Sequence, residues 1–178
     1  GLFKDHQAYA WQPYITPHSF WNYVEFWKKY EVPTPQPPTG IAADAVTVSN
    51  DHFTHNNVGA VTGNPVILRG ITLRQTWNPI RTSVKDITIV NIPSQRGPAW
   101  GEAANSIFIY EMGSLCLAHL GNLGHLLTPE QEKVLQKVDV LMTPIDAMTN
   151  LGFEDLLKVI AQVRPPIVIP MHYDAPRQ

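Results

Sequence analysis

Three short stretches concentrate the residues of this chain that can hold a metal ion or move a proton. They are Asn-Asp-His-Phe-Thr-His at 50–55, His-Leu-Gly-Asn-Leu-Gly-His at 119–125 and Pro-Met-His-Tyr at 170–173. Imidazole nitrogens bind zinc and similar divalent ions, and a bound ion lowers the pKa of its water enough to make a nucleophile near neutral pH. Each stretch follows an apolar run, so each falls at a strand end, where α/β proteins gather ligands. One histidine at a strand end is more often structural than functional. Three such places together give weight to a shared site. The sequence has no glycine-rich phosphate loop, serine nucleophile elbow or Cys–His pair.

The elements that position these stretches follow from hydrophobic pattern. Ala-Asp-Ala-Val-Thr-Val-Ser (43–49) reads as a buried strand running into the first histidine turn. Residues 64–70, 86–92, 105–112 and 114–120 read as further strands, the last two joined as a hairpin through Met112-Gly113. Thr128, Pro129 and Gln131 form a helix start, with cap, first-turn proline and capping-box partner. That helix continues through 130–138. Residues 139–145 make another strand, and Phe153 to Val163 a helix with Leu156, Leu157, Ile160 and Val163 on one face. Residues 165–173 form a last strand ending at His172. Alternation of strand and helix at this end predicts an α/β layer with parallel pairing.

Residues 1–40 differ from the rest. They carry Trp11, Trp21 and Trp27 and a proline cluster at 32–40. Ser19 is a helix cap, and Phe20, Val24 and Trp27 recur near helical spacing. A short aromatic helix followed by a polyproline-like strap is expected. Its rings either pack on the domain or, with Phe20, Trp21 and Trp27 foremost, form a docking surface for another protein or a membrane interface. The chain thus divides into an aromatic, proline-rich extension at 1–40 and a domain at 41–178.

Composition bounds the rest. The 178 residues fit one domain. A net charge of −2 gives no electrostatic footprint for nucleic acid. One cysteine, Cys116, excludes an internal disulfide and reads as a buried, inert thiol. No apolar run is long enough to cross a membrane, and no signal peptide is visible. The first residue is Gly1 rather than Met, so a segment upstream stays open. The compartment also stays open between soluble, cytoplasmic and attached to the surface of a larger assembly.

Residues 41–173 resemble the metallo-β-lactamase superfamily, in its small metal-dependent hydrolase branch. The resemblance rests on Ser49 to His55 against a Ser/Thr-His-x-His-x-Asp-His turn, and on His119 to His125 against His-Leu-Gly-Asp-Leu-Gly-His. Thr-Pro-Glu-Gln at 128–131 and Ile-Pro-Met-His-Tyr at 169–173 complete it. It implies an αβ/βα sandwich. The family's N-terminal strands are not evident in residues 1–40, so they either precede Gly1 or leave a sheet open. An open edge is normally covered.

The resemblance also implies two metal ions. The first would use residues 50 and 52 and a histidine near 94; the chain has Asn50, His52 and no histidine at 91–95. The second would use residues 54, 55, 122 and 172; the chain has Thr54, His55, Asn122 and His172. Both carboxylates have become neutral groups, and neutral oxygens are weak zinc ligands. Asp51 falls between ligand positions and is expected to point elsewhere. His119 and His125 match positions that are not principal ligands, and His125 is expected to support its loop by hydrogen bonding.

Two functions compete, the first preferred. One is a catalytically degenerate member of the fold that binds no cofactor. It would act as a protein-binding or structural subunit through the aromatic segment or an open sheet edge. The other is a metal-dependent hydrolase with one zinc or other divalent ion on His52, His55 and His172, acting on an ester, amide or phosphoester.

Overall fold

The computed structural model describes residues 41–51, 56–96, 104–145 and 150–172. Its largest element is a six-stranded mixed sheet. In chain order its strands are β5 (Arg81–Val84), β6 (Ile87–Gln95), β7 (Ala104–Met112), β8 (Leu115–His119), β9 (Val140–Pro144) and β10 (Ile167–Met171). They lie side by side in sequence order, from β5 at one margin to β10 at the other. The first four form an antiparallel meander; β8, β9 and β10 run parallel.

The parallel part needs crossover helices, and the sequence supplies two. α1 (Pro129–Leu135) joins β8 to β9, and α2 (Phe153–Val163) joins β9 to β10. The Thr128 side chain accepts from the Gln131 N–H while the Gln131 side chain accepts from the Thr128 N–H, a complete capping box. α1 ends at Leu135, three residues short of the length its apolar pattern predicts. α2 buries Leu156, Val159 and Val163, whereas Leu157 lies 45% exposed. The expected face is therefore rotated, because Val159 completes a 3–4 spacing with Leu156 and Val163 that Leu157 does not fit.

Two parallel strand pairs form separate small sheets. β1 (Ile41–Ala42) pairs with β3 (Val61–Thr62), and β2 (Ala45–Val48) pairs with β4 (Val66–Arg69). The period of two along β7 sorts its side chains between two cores. Ile107 and Ile109 join Ala118, Leu141, Leu135, Val159 and Val163 on the helix side. Phe108 and Tyr110 join Ile89, Leu117, Met142 and Met171 on the other side, where Ala45 of β2 and Leu68 of β4 pack. A Thr47 Oγ1–Tyr110 OH hydrogen bond of 2.6 Å ties the two layers at that face. The large sheet thus has helices on one face and β2–β4 on the other.

The short strands β1, β3 and β5 have no strong signal in the sequence. Arg-Thr-Ser-Val of β5 alternates exposed and half-buried positions at a sheet margin, where packing asks little of residue type. The extension at 1–40 lies outside the described residues.

Candidate functional site

Register brings the ends of several strands to one edge of the large sheet. β6 is antiparallel to β7 and β7 to β8, so β6 and β8 point the same way. β9 and β10 share that direction. Gln95 opposes Ala104 at this edge, Leu120 N–H bonds to Met142 O, and Met171 opposes Pro144. The smaller layer reaches the same place, since Ser106 N–H donates to Ser49 O at 2.8 Å just beyond β2. Asn50, Ser94, Asn122 and His172 therefore stand at or just beyond strand ends that converge on a single edge.

Three of the sequence-predicted positions can be placed there. Asn50 is 1% exposed and donates from Nδ2 to Ser49 Oγ at 3.2 Å. Asn122 is 2% exposed, and its backbone N–H donates to Asn105 Oδ1 at 2.9 Å. His172 follows β10 with φ +58°, in the left-handed region that a residue with a side chain enters only at some cost. His52, Thr54 and His55 lie outside the described residues, as do Phe20, Trp21 and Trp27.

Ser94 lies in the stretch near which the resemblance puts a third histidine, and its hydroxyl accepts from Asn105 Nδ2 at 2.6 Å. The other Asn105 Nδ2 hydrogen goes to Leu120 O at 3.0 Å. Asn105 is a residue that motif reasoning passed over. The one signal for it is a lone amide near the start of a mostly apolar strand. A second buried amide, Asn91, works alongside: it accepts from Ile80 N–H and donates to Asn78 O and Ser106 Oγ. Gly121 fills the space between these groups with φ +59°.

The remaining polar residues have structural partners. Asp51 accepts from Asn56 Nδ2 at 2.6 Å and from Gln75 Nε2 at 3.5 Å, and faces Arg69 at 4.0 Å. His119 Nδ1 accepts from Gly121 N–H at 2.8 Å. His125 Nε2 accepts from Gln95 N–H at 3.2 Å while its Nδ1 meets Leu126 O at 2.7 Å, which requires the proton on Nδ1. Together with Gly124 N–H to Gln95 O and Gln131 Nε2 to Pro93 O, it fastens the loop before α1 to the end of β6. Burial raises the Cys116 thiol above its ordinary value, as an inert core thiol requires.

These donors can be set against what a metal pair needs. Among the described residues, no three His, Cys, Asp or Glu side chains cluster to hold an ion. Asn50, Ser94 and Asn122 bring neutral oxygens, and the Ser94 hydroxyl is already engaged. Neutral oxygens of this kind are weak ligands for zinc.

Comparison with known proteins bears on the same residues. A model of the "Beta-lactamase superfamily domain" matches residues 16–172. A UPF0173 metal-dependent hydrolase from Carboxydothermus hydrogenoformans is 26% identical over 157 residues, covering 77% of this chain and 70% of the relative. A protein of the same description from Desulforamulus reducens is 31% identical over 81 residues, covering 46% of this chain and 36% of the relative. Among solved structures, a protein of Thermotoga maritima assigned as a Zn-dependent hydrolase of the metallo-β-lactamase superfamily superposes with a TM-score of 0.63 at 26% identity. That match covers 80% of this chain and 66% of the Thermotoga chain, so this chain spans slightly less than two thirds of it. A metal-dependent hydrolase structure from Parabacteroides distasonis shares the fold at 14% identity and a TM-score of 0.59, covering 80% and 72% of the two chains.

Proposed function

This chain belongs to the β-lactamase superfamily, and from that premise we propose that it is a member that has given up the two-metal centre and is kept as a scaffold. In this reading it binds no catalytic metal and serves as a protein-binding or structural subunit. Its partner would be another protein chain, met through the aromatic segment with Phe20, Trp21 and Trp27 or through a sheet edge.

One observation carries the reading. The edge where ligands would converge holds a neutral, buried hydrogen-bond network of Ser94, Asn105 and Asn122. A metal pair needs anionic ligands to balance its charge, and this network offers none. Replacing the two carboxylates by the Thr54 hydroxyl and the Asn122 amide removes that balance and leaves water near its bulk pKa, a poor nucleophile at neutral pH. The test is metal content per chain, by elemental mass spectrometry, on protein purified without added metal and then incubated with zinc. Content well below one ion per chain is expected; one ion or more would overturn the reading.

A second reading is favoured by a separate observation. His172 holds a left-handed backbone at a strand end, and such strain collects at functional sites. The relatives named above are metal-dependent hydrolases. On this reading His52, His55 and His172 hold one zinc or similar ion for hydrolysis, and the same measurement would find it.

A further inference from the structure

We propose that Asn105 is the positioning residue of this edge, and that its amide makes without metal the cross-link between strand ends that a metal pair would otherwise make. The inference rests on the scaffold reading above and deepens it. Asn105 has no exposed surface. Both Nδ2 hydrogens and Oδ1 are engaged: one Nδ2 hydrogen goes to Ser94 Oγ, the other to Leu120 O, and Oδ1 accepts from the Asn122 N–H. Ser94 opposes it in register across β6, whereas Leu120 and Asn122 lie beyond the end of β8. The next residue, Ser106, carries the backbone bond to Ser49 beyond β2 and accepts Asn91 Nδ2 on its side chain.

The ligand pattern of the resemblance draws on four places: the turn after β2, the end of β6, the loop after β8 and the end of β10. Asn105 and Ser106 together reach the first three. The fourth is held to its neighbour by Ile145 N–H on Met171 O at 3.0 Å. An amide in a dry site with both donors and its oxygen engaged gives direction as well as attraction, since each bond fixes one partner. Truncating it leaves the Asn122 N–H and the Leu120 carbonyl short of a partner where water does not reach easily, which is the costly case. No ion is needed in this account. The strand ends are held by neutral groups whose positions do not depend on charge balance.

The experiment compares the full chain with Asn105→Ala, Asn105→Ser and the surface control Ser83→Ala, by thermal unfolding in excess EDTA and again with added zinc. The expected result is a wild-type Tm that EDTA does not move. Both Asn105 variants should show a fall of roughly 5–10 °C, the same in either condition. A fall no larger than the Ser83→Ala control, or one seen only with zinc, overturns the proposal. If the Asn105 variants do not fold, amide exchange in the wild type decides. An Asn122 N–H protected like the Ile109–Ala118 ladder supports the tie, and exchange at the rate of an open loop overturns it. A wild type that loses Tm in EDTA overturns the scaffold reading instead. The Asn105 tie is then judged by the variants in the chelated protein.

Discussion

Asn105 and Gly121 sit so close that residue 121 has no room for a side chain. A Cβ built on Gly121 would overlap Asn105 Oδ1 and stand 2.9 Å from Ser49 Cβ. The same glycine has φ +59°, which adds a conformational reason to the steric one. The loop that follows β8 can reach the edge only because this position is bare.

Gly121→Ala is therefore expected to destabilise the protein by about 3 kcal/mol, from left-handed strain plus overpacking. Gly113→Ala is the comparison, because φ there is +61° with nothing within 4 Å of a built Cβ. It should cost only the strain, about 1 kcal/mol. Urea unfolding of both variants checks this. Equal losses would mean that the close approach to Asn105 is not maintained in solution.

The second-metal positions need only two changes to recover four ligands. Thr54→Asp with Asn122→Asp, beside His55 and His172, should create a four-ligand zinc site, which the scaffold reading says the wild type lacks. Without metal the double variant should be less stable, since Asn122 is buried and an unpaired carboxylate there is costly. Zinc at about 100 times its Kd should restore roughly 2.7 kcal/mol. Calorimetric titration reads this directly, and zinc binding by the wild type with equal affinity would contradict the scaffold reading.

His172 offers a way to separate backbone from side chain. His172→Gly relieves a left-handed backbone and should change stability by no more than about 0.5 kcal/mol, whereas the β-branched His172→Val should cost roughly 1–2 kcal/mol. Denaturant unfolding in EDTA and with zinc gives both numbers. A loss above about 1.5 kcal/mol for His172→Gly that disappears in EDTA would mean the imidazole holds an ion, as the single-metal reading requires.

Glu111 and Lys137 form a salt bridge between β7 and the residues after α1. The hydrogen bond from Lys137 holds the Glu111 carboxyl below its ordinary range, and the same bond raises Lys137. The lowered carboxyl gives stability that is present above its unfolded pKa and lost as pH falls through the folded one. The raised ammonium gives stability present below its unfolded pKa and lost as pH rises through the folded one. The pair therefore contributes across the range between. Both groups are more than a third exposed or close to it, so solvent screening limits the effect to at most about 0.5–1 kcal/mol. Glu111→Gln should show that loss at neutral pH, and none once the wild-type carboxyl is protonated. Thermal melts across pH at low and high salt measure it; a loss unchanged in acid would exclude the ion pair as its source.

Much of the fold is legible in the sequence because buried parallel strands are long apolar runs and helix caps have strong local chemistry. The 139–145 run, the Thr128–Gln131 box and the helix at 153–163 all appear where expected. What escapes is structure fixed by tertiary context. β5 is a polar margin strand, and the buried face of α2 turns on Val159 rather than Leu157. The ligand positions are legible only through a motif, which names places but not the groups that surround them. Asn105 belongs to no such motif. Its role comes from the register that sets it opposite Ser94 and from a loop that brings Asn122 back, neither of which a local pattern encodes.

The two layers also differ in how far apart their contacts lie along the chain. The β6–β7–β8 meander joins near neighbours, whereas the Thr47–Tyr110 bond closes a span of 63 residues. Loop-closure entropy delays such distant contacts. The meander and its helices should form early and leave Phe108 and Tyr110 facing water until β2 and β4 dock. Val46→Ala should then speed unfolding with little change in the folding rate, a low φ-value that stopped-flow kinetics can read. A high φ-value at Val46 would place the small layer in the nucleus instead. On the expected order, newly made chains pass through a sticky, half-covered intermediate, and the cell must shelter that face until the second layer closes over it.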